Sequence, residues 1–339
     1  MSIANDLARE PNLACCKWVA VCPVNRPPAY SGGSDKSSTP AIVFPTEDLE
    51  ASMKHVKALK RVVPSPLWPY LGAVRRFVRT IPARTRWQKN KLLSSPTLTE
   101  RERKLLSKVS SRIDPGDGMY HGDGEHYFNV GLSAIHCIDE ALAAAGLKEV
   151  RTILDFPCGS GRVMRFLRQR FPEAKITACE LASGPVQFCV RTFGAEPAFS
   201  SLNLDEVSLG KQFDLIWCGS LVTHLNEDGI AALFRLFRRH LSPGGMMIFT
   251  THGDFVARRI PTRDFDYGLT PEQIDRIGQH YPREGYGFED YPGEKDYGVS
   301  LTSPEWIRTR IREVGDLREV FFKERGWDDH QDVFGFVSE

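Results

Sequence analysis

The chain has 339 residues and a formal net charge of only +1 at pH 7. Hydrophobic residues make up 41% of it and charged residues 26%, which is typical of a soluble globular protein with one large domain or two modest ones. No run approaches the roughly 18 consecutive apolar residues of a membrane-spanning helix, so the sequence excludes such a helix.

The eight cysteines form no C-x-x-C pair and no Cys/His spacing typical of zinc, so we expect no metal site. The stretch "ACCKWVAVC" is short, interrupted by a lysine and not preceded by a basic segment, unlike a secretory signal. The sequence therefore predicts a cytoplasmic protein with reduced thiols.

The first 118 residues differ from the rest in amino-acid composition and charge. Residues 1–50 are rich in Pro, Ser, Gly and Asn without periodicity, which predicts a disordered tail. Residues 51–118 predict a basic, partly helical extension, because residues 54–112 contain 16 Lys and Arg but two acids. Such an arm on an acidic body indicates an anionic partner or surface, although a solvated basic linker fits equally well.

Part of this extension, "LWPYLGAVRRFVRTIP", has apolar residues at helical spacing. The apolar side consists of Leu71, Val74, Phe77, Val78 and Ile81, and the other side of Arg75, Arg76 and Arg79. This pattern is consistent with an interfacial membrane helix within residues 66–86, or with a helix packed on the main domain.

From residue 119 onward, strands and helices alternate. The segment "VGLSAIHCIDEALAAAG" predicts a helix ending at Gly146. The predicted strands are "TILDF", "KITACEL", "FDLIWCG" and "GGMMIFTTHG", and the helices between them are "GRVMRFLRQRF", "PVQFCVRTFG" and "DGIAALFRLFRRHL". Such continuous apolar strands predict a doubly wound, mostly parallel α/β sheet. Two closing segments, "LREVFFKERG" and "DVFGFVSE", predict an antiparallel pair.

The stretch "ILDFPCGSGR" joins the first strand to its helix. Gly159 and Gly161 allow a tight turn and close approach of the backbone to a ligand. A dinucleotide-binding turn requires a third glycine where Met164 stands, and no G-K-[ST] of a P-loop follows. Asp155 at the strand end would repel a pyrophosphate but suits a cationic ammonium or sulfonium.

Glu180 ends the second strand, where an acid is placed to accept hydrogen bonds from both ribose hydroxyls. The expected ligand therefore has a ribose and a positive charge but no pyrophosphate. S-adenosylmethionine has all three properties.

The segments "ILDFPCGSGR", "ITACEL", "FDLIWCGSLVTHL" and "LSPGGMMIFTTHG" resemble, in order and spacing, the motifs of class I S-adenosylmethionine-dependent methyltransferases. The resemblance covers roughly residues 150–253, and shorter segments resemble an uncharacterised bacterial-type subgroup. It implies a Rossmann-like, seven-stranded sheet with an antiparallel last strand, within a domain spanning residues 119–339.

The resemblance also implies a set of cofactor-binding residues: Asp155, Phe156, Gly159, Ser160, Gly161, Glu180, Leu181, Asp205, Cys218, Gly219 and Ser220. Asp155 and the two glycines would line the methionine part, Glu180 would bind the ribose, and Leu181 would lie beside the adenine. Asp205 would accept from the adenine amino group, or is a solvated loop acid.

His224 follows the fourth strand, where acceptor-side residues lie in this family, and is the first candidate for a general base. The alternative is a packed histidine. His252, with Asp254, is the second candidate. Residues 255–300 are rich in Tyr, Gly, Asp and Arg, which predicts a lid or acceptor pocket for a polar substrate such as a sugar.

We therefore expect a methyltransferase acting on a polar small molecule or glycan, at oxygen, with peripheral membrane contact through residues 66–86. An RNA or protein methyltransferase docked by the basic arm and a non-catalytic cofactor-binding domain are the alternatives. Nucleic acid is disfavoured, because no N-P-P-Y follows the fourth strand and the arm contains no recognised RNA-binding module.

Overall fold

The computed structural model describes residue 72, residues 76–263 and residues 266–339. The predicted tail at 1–50, and Leu71, Val74 and Arg75 of the predicted amphipathic helix, lie outside these ranges. Within them, no helix is both long and apolar enough to cross a bilayer.

Seven strands form the central sheet, in the order β3-β2-β1-β4-β5-β9-β8. They are β1 Thr152–Asp155, β2 Lys175–Glu180, β3 Glu196–Phe199, β4 Phe213–Cys218, β5 Leu241–Thr251, β8 Leu317–Trp327 and β9 Gln331–Ser338. The pairs among β1 to β5 are parallel, and β9 is antiparallel to both β5 and β8. The predicted Rossmann-like sheet with one antiparallel last strand is confirmed.

Helices cover both faces of the sheet. They are α1 Pro82–Leu93, α2 Glu100–Lys108, α3 Gly124–Ala145, α4 Met164–Arg170, α5 Ser183–Phe193, α6 Glu227–His240, α7 Asp254–Arg259, α8 Pro271–Glu284 and α9 Pro304–Val314. Because side chains alternate along a strand, neighbours such as Leu215 and Ile216 enter different cores. One core faces α3 to α5 and the other faces α6 and α9.

The helix predicted to end at Gly146 does so, with that glycine in the left-handed conformation at φ +69°. It begins earlier than the apolar pattern indicates, because Asp123 caps it by accepting from the His126 amide. Tyr127, which lies before the apolar segment that begins at Val130, is therefore inside the helix and is buried.

The basic extension packs on the start of α3 through polar contacts. Gln88 of α1 donates to the Gly122 carbonyl at 2.6 Å, and the Tyr120 hydroxyl donates to Gln88 at 2.7 Å. Lys89, although cationic, is buried and donates to the carbonyls of Ser107 and Val109. These contacts join α1 to residues 107–122, which lead from α2 into α3.

Residues 254–302 between β5 and α9 form a small unit, which we call the insertion. It contains α7, α8 and a hairpin of β6 Tyr286–Asp290 and β7 Gly298–Thr302. Its own apolar cluster includes Val256, Ile260, Ile274, Ile277, Val299 and Leu301. The backbone joins it to the sheet edge where Thr302 donates to the His252 carbonyl at 2.9 Å.

Candidate functional site

A cleft opens at the carboxyl edge of the sheet, where β1, β2 and β4 end. In open parallel sheets, ligands bind at this edge. Its lining residues are Asp117, Met119, Asp155, Pro157, Cys158, Gly159, Ser160, Arg162, Val163, Glu180, Trp217, Gly219, Ser220, Leu221, His224 and Trp327. Seven of the predicted site residues are among them: Asp155, Gly159, Ser160, Glu180, Gly219, Ser220 and His224.

The two glycines of the turn after β1 have different surroundings. Both have positive φ, +46° at Gly159 and +77° at Gly161. A Cβ on Gly159 would meet no atom within 4 Å, whereas a Cβ on Gly161 would overlap the Phe193 ring of α5. Gly159 therefore leaves room in the cleft, and Gly161 lets the turn pack on α5.

The Glu180 carboxylate holds the turn in place. It is buried, and its two oxygens accept from the amides of Leu181 at 2.7 Å and Gly159 at 3.2 Å. Burial raises the pKa of Glu180, and these two hydrogen bonds oppose that rise. A carboxylate has about four acceptor positions, so two remain for a ligand.

Asp155 at the end of β1 is buried, and its Oδ2 has no hydrogen-bond partner among the described residues. Burial, and secondly the nearby Glu180, raise the pKa of Asp155 well above its ordinary value. An unpartnered buried carboxylate oxygen is costly, and a cationic ligand group in the cleft would relieve that cost.

Arg165, fully buried on α4, links the turn to the extension. Its guanidinium donates to the carbonyls of Gly161, Ser110 and Arg112, and to the Tyr127 hydroxyl at 3.1 Å. That hydroxyl donates in turn to Asp117 Oδ2 at 2.6 Å. The extension thereby supplies Asp117 and Met119 to the wall of the cleft.

Two tryptophans form the opposite wall. Trp327 at the end of β8 packs edge to face on Trp217 of β4, with ring centroids 5.5 Å apart, and donates to the Val130 carbonyl. A Cβ on Gly219 would lie 2.8 Å from Trp327, so this position requires a glycine. The Arg162 guanidinium lies 5.5 Å from the centre of the Trp327 ring.

His224 reaches the cleft from a short 3-10 helix, Val222–His224, that follows β4. Its Nδ1 lies 3.0 Å from the Gly298 carbonyl and 3.0 Å from the Tyr291 hydroxyl, both in the insertion. Burial lowers the pKa of His224 to about 4, although the hydrogen bond with Gly298 opposes this. His224 is therefore a neutral imidazole at pH 7.

Comparison with known proteins identifies the domain. Residues 153–245, from β1 into β5, match the model of a family described as a methyltransferase domain. The match covers the glycine turn and Glu180, within a seven-stranded sheet that has one antiparallel strand. The chain thus contains a methyltransferase domain of the class I, S-adenosylmethionine-dependent kind.

The methyltransferase is similar to curated relatives named malonyl-[acyl-carrier protein] O-methyltransferase. One, from Anoxybacillus flavithermus, is 26% identical over 188 residues, which are 48% of this chain and 71% of the relative. Another, from Priestia megaterium, is 27% identical over 130 residues, which are 38% of this chain and 46% of the relative. The match thus spans less than half of the second relative.

Solved structures are also similar. An S-adenosylmethionine-dependent methyltransferase from Clostridium acetobutylicum has 15% identity and a TM-score of 0.44, covering 61% of this chain and 91% of that one. An amino pentose methyltransferase from Micromonospora echinaspora has 16% identity and a TM-score of 0.45, and the match covers 67% of this chain and 98% of that one.

Four predicted cofactor residues of the methyltransferase lie behind the cleft rather than on its lining: Phe156, Gly161, Leu181 and Cys218. Phe156 packs edge to face on Phe237, and Cys218 is fully buried in the same core. Leu181 contributes its amide to Glu180. These residues shape the strand ends that carry the lining residues.

Asp205 does not line the cleft. Its side chain is 47% exposed and accepts two hydrogen bonds from Arg235 of α6, at 3.0 and 2.7 Å. The pKa of Asp205 is lowered chiefly by these bonds. This geometry matches the solvated loop acid that the sequence leaves open, so we do not retain the adenine role.

His252, the second base candidate, is also absent from the lining. It is buried, and neither of its ring nitrogens has a hydrogen-bond partner among the described residues. The centroid of its ring lies 5.2 Å from that of Tyr267 and 5.5 Å from that of His330. Burial lowers its pKa well below the ordinary value. Its companion candidate Asp254 accepts from the Tyr281 hydroxyl at 2.5 Å.

Sequence reasoning missed Asp117, Arg162, Arg165, Trp217 and Trp327 as parts of the site. Trp217 had a signal, because it lies two residues before Gly219 on a predicted strand. Arg165 acts through contacts across 38 and 55 residues, to Tyr127 and to Ser110, and Asp117 joins this network through the Tyr127 hydroxyl. No local motif encodes these contacts.

Proposed function

We propose that the methyltransferase transfers a methyl group to an oxygen of a polar small-molecule or glycan acceptor. The observation that carries the proposal is the placement of His224 on the cleft, with its Nδ1 at the Gly298 carbonyl. A general base on the wall of the methyl-donor cleft assists transfer to a hydroxyl acceptor by taking up its proton.

The cleft residues fit the methyl donor. S-adenosylmethionine supplies an electrophilic methyl group on a sulfonium. Asp155 offers an unpartnered oxygen to the cationic amino group, and Gly159 leaves space beside it. Glu180 offers its two remaining acceptor positions to the ribose hydroxyls. Asp117, which also lines the cleft, adds a second carboxylate for the cationic part.

The hydrogen bond to Gly298 sets the tautomer of His224. A carbonyl oxygen only accepts, so Nδ1 carries the hydrogen and Nε2 keeps its lone pair. His224 is then ready to accept a proton at Nε2. The positive charge that His224 gains replaces the one lost by the donor, so the net charge of the cleft does not change.

The insertion is our proposed acceptor pocket. Two of its tyrosines, Tyr291 and Tyr297, lie with ring centroids 5.9 and 5.3 Å from the His224 ring. Aromatic faces with hydroxyl groups suit a polar ring such as a sugar. The residues that contact His224 thus come from the same unit that would hold the acceptor.

A carboxylate carried on an acyl-carrier protein is the second candidate acceptor. It is favoured by the similarity to relatives named malonyl-[acyl-carrier protein] O-methyltransferase. A carboxylate is ionised at pH 7 and needs no base. The two candidates therefore differ in their need for His224.

The test begins with calorimetric titration of S-adenosylmethionine, S-adenosylhomocysteine and NAD. We expect micromolar binding of the first two, weakened at least about 100-fold in Glu180→Ala because a buried charged partner is lost. Glu196→Ala, which removes a half-exposed carboxylate on β3, is the matched control. Preferential binding of NAD would contradict the cofactor assignment.

Labelled-methyl transfer to hydroxyl and carboxylate acceptors then separates the two candidates. For a hydroxyl acceptor, His224→Gln should lower turnover by about 100-fold or more while donor binding stays unchanged. Unchanged turnover of a carboxylate acceptor in this variant would favour the second candidate.

A further inference from the structure

Bulky apolar side chains are exposed mainly in one part of the described chain. Six such residues are exposed, and four of them fall within residues 77–87: Phe77 (65%), Val78 (44%), Ile81 (39%) and Trp87 (64%). Monomeric soluble proteins rarely expose such residues together unless the surface binds something.

The same segment is basic. Residues 76–99 contain no acidic residue, and Arg76, Arg84 and Arg86 are exposed. Within the described residues, these three arginines form no ion pair, in contrast to Lys91, which pairs with Glu125 at 2.5 Å. We call Phe77, Val78, Ile81 and Trp87, together with these arginines, the apolar-basic surface.

The segment that carries this surface packs against the rest of the domain. Thr80, between the helical turn at 76–79 and α1, is buried, and the Tyr120 hydroxyl donates to the Arg79 carbonyl at 3.2 Å. Gln88 and Lys89 fix the other face of α1 to residues 109–122. The apolar-basic surface is therefore coupled to the segment that carries Asp117 and Met119 to the cleft.

We propose that the apolar-basic surface docks the methyltransferase on an anionic phospholipid bilayer. Phe77 and Trp87 suit the boundary between headgroups and acyl chains, and unpaired arginines suit lipid phosphates. Val78 and Ile81 present no flat ring on which bases stack, so the surface fits lipid better than RNA. A symmetric second copy would place the arginines against themselves, which is unfavourable.

The experiment is co-sedimentation of the full-length chain with vesicles of phosphatidylcholine alone or mixed with phosphatidylglycerol. We expect stronger partition onto the mixed vesicles, falling as salt is added. Each arginine contributes about fivefold near an anionic surface, so Arg84→Gln with Arg86→Gln should weaken partition by about 25-fold.

Phe77→Ser with Trp87→Ser tests the apolar part and should weaken partition at least about tenfold. The matched control is Phe199→Ser with Leu202→Ser, which removes the other two exposed apolar residues, 51% and 76% exposed, and should leave partition unchanged. Thermal melting shows that each variant is folded.

Three results would overturn the proposal. The first is equal partition onto neutral and mixed vesicles, or full partition retained by both double variants, the one lacking Arg84 and Arg86 and the one lacking Phe77 and Trp87. The second is tight binding of single-stranded RNA oligonucleotides that Phe77→Ser with Trp87→Ser abolishes, without partition onto vesicles. The third is a dimer in light scattering that the same variant dissociates, again without partition. Because donor binding is measured separately, these failures are distinct from failure of the proposed function.

Discussion

The cofactor cleft and the insertion meet at the same sheet edge but are encoded differently in the sequence. Asp155, Gly159 and Glu180 lie at or just after strand ends, so the parallel topology alone brings them together. The insertion instead reaches His224 from Tyr291 and Gly298, across 67 and 74 residues. These three residues are therefore placed by local sequence, whereas the arrangement of His224, the proposed base, depends on long-range packing.

The largest expected effect tests whether the cleft depends on strand ends alone. Replacing Arg165 by Met would leave the Tyr127 hydroxyl and three carbonyls without their donor. We expect a loss of about 3–5 kcal/mol in the free energy of unfolding, measured by urea denaturation. Arg151→Met, at a side chain that is 75% exposed, should change it by less than about 0.5 kcal/mol. A loss below about 1 kcal/mol for Arg165→Met would show that the extension contributes little to the cleft.

The two turn glycines provide a matched pair within the cleft. Gly161→Ala combines positive φ with overlap onto Phe193, so we expect a loss of about 2–4 kcal/mol of stability. Gly159→Ala adds a methyl group in open space and should cost only about 1 kcal/mol. Donor binding, measured by calorimetry, should nevertheless weaken at least about tenfold in Gly159→Ala. Equal stabilities of the two variants would contradict this assignment.

An intermediate effect concerns the edge of the insertion and depends on pH. The folded chain lowers the pKa of His252, so below the unfolded value of about 6.5 the unfolded chain binds more protons and stability falls as the pH falls. His252→Phe removes this dependence. Relative to wild type, the variant should therefore gain about 1.4 kcal/mol per pH unit below about 6.5.

Urea denaturation at a series of pH values from 7 to 5 measures this gain. Replacing the exposed His280 by Gln is the control and should leave the slope of the wild type unchanged. A constant difference between His252→Phe and wild type would mean that His252 binds protons equally in the folded and unfolded chains, which would contradict the lowered pKa.

The smallest expected effect sharpens the role of the insertion. Tyr291→Phe removes one partner of His224 Nδ1 but leaves the Gly298 carbonyl, so the tautomer should persist. We expect turnover to fall by no more than about tenfold and donor affinity to stay the same. Nitrogen-15 NMR of the His224 ring checks the tautomer directly, and a switch of the hydrogen to Nε2 would refute this account.

The sequence predicts β1, β2 and β4 well, because each of them is a largely buried, mostly apolar run. It does not predict β3, whose four residues "EPAF" are mostly exposed. The sequence also predicts that Glu180 and Asp155 line the cleft, because each of them stands at the end of a strand. It does not predict α8, although "TPEQ" forms a capping box between Thr270 and Gln273 that signals a helix start. Asp117 and Trp327 could not be predicted, because their neighbours in the cleft are distant in sequence.

The position of β9 has a consequence for how the chain folds. This strand comes last in the sequence order of the sheet, yet it lies between β5 and β8. Until residues 331–338 have left the ribosome, β5 and β8 both present unpaired edges, which are templates for aggregation. Pairing of β9 with both strands covers the edge of β5 and leaves β3 and β8 as the outer strands of the sheet.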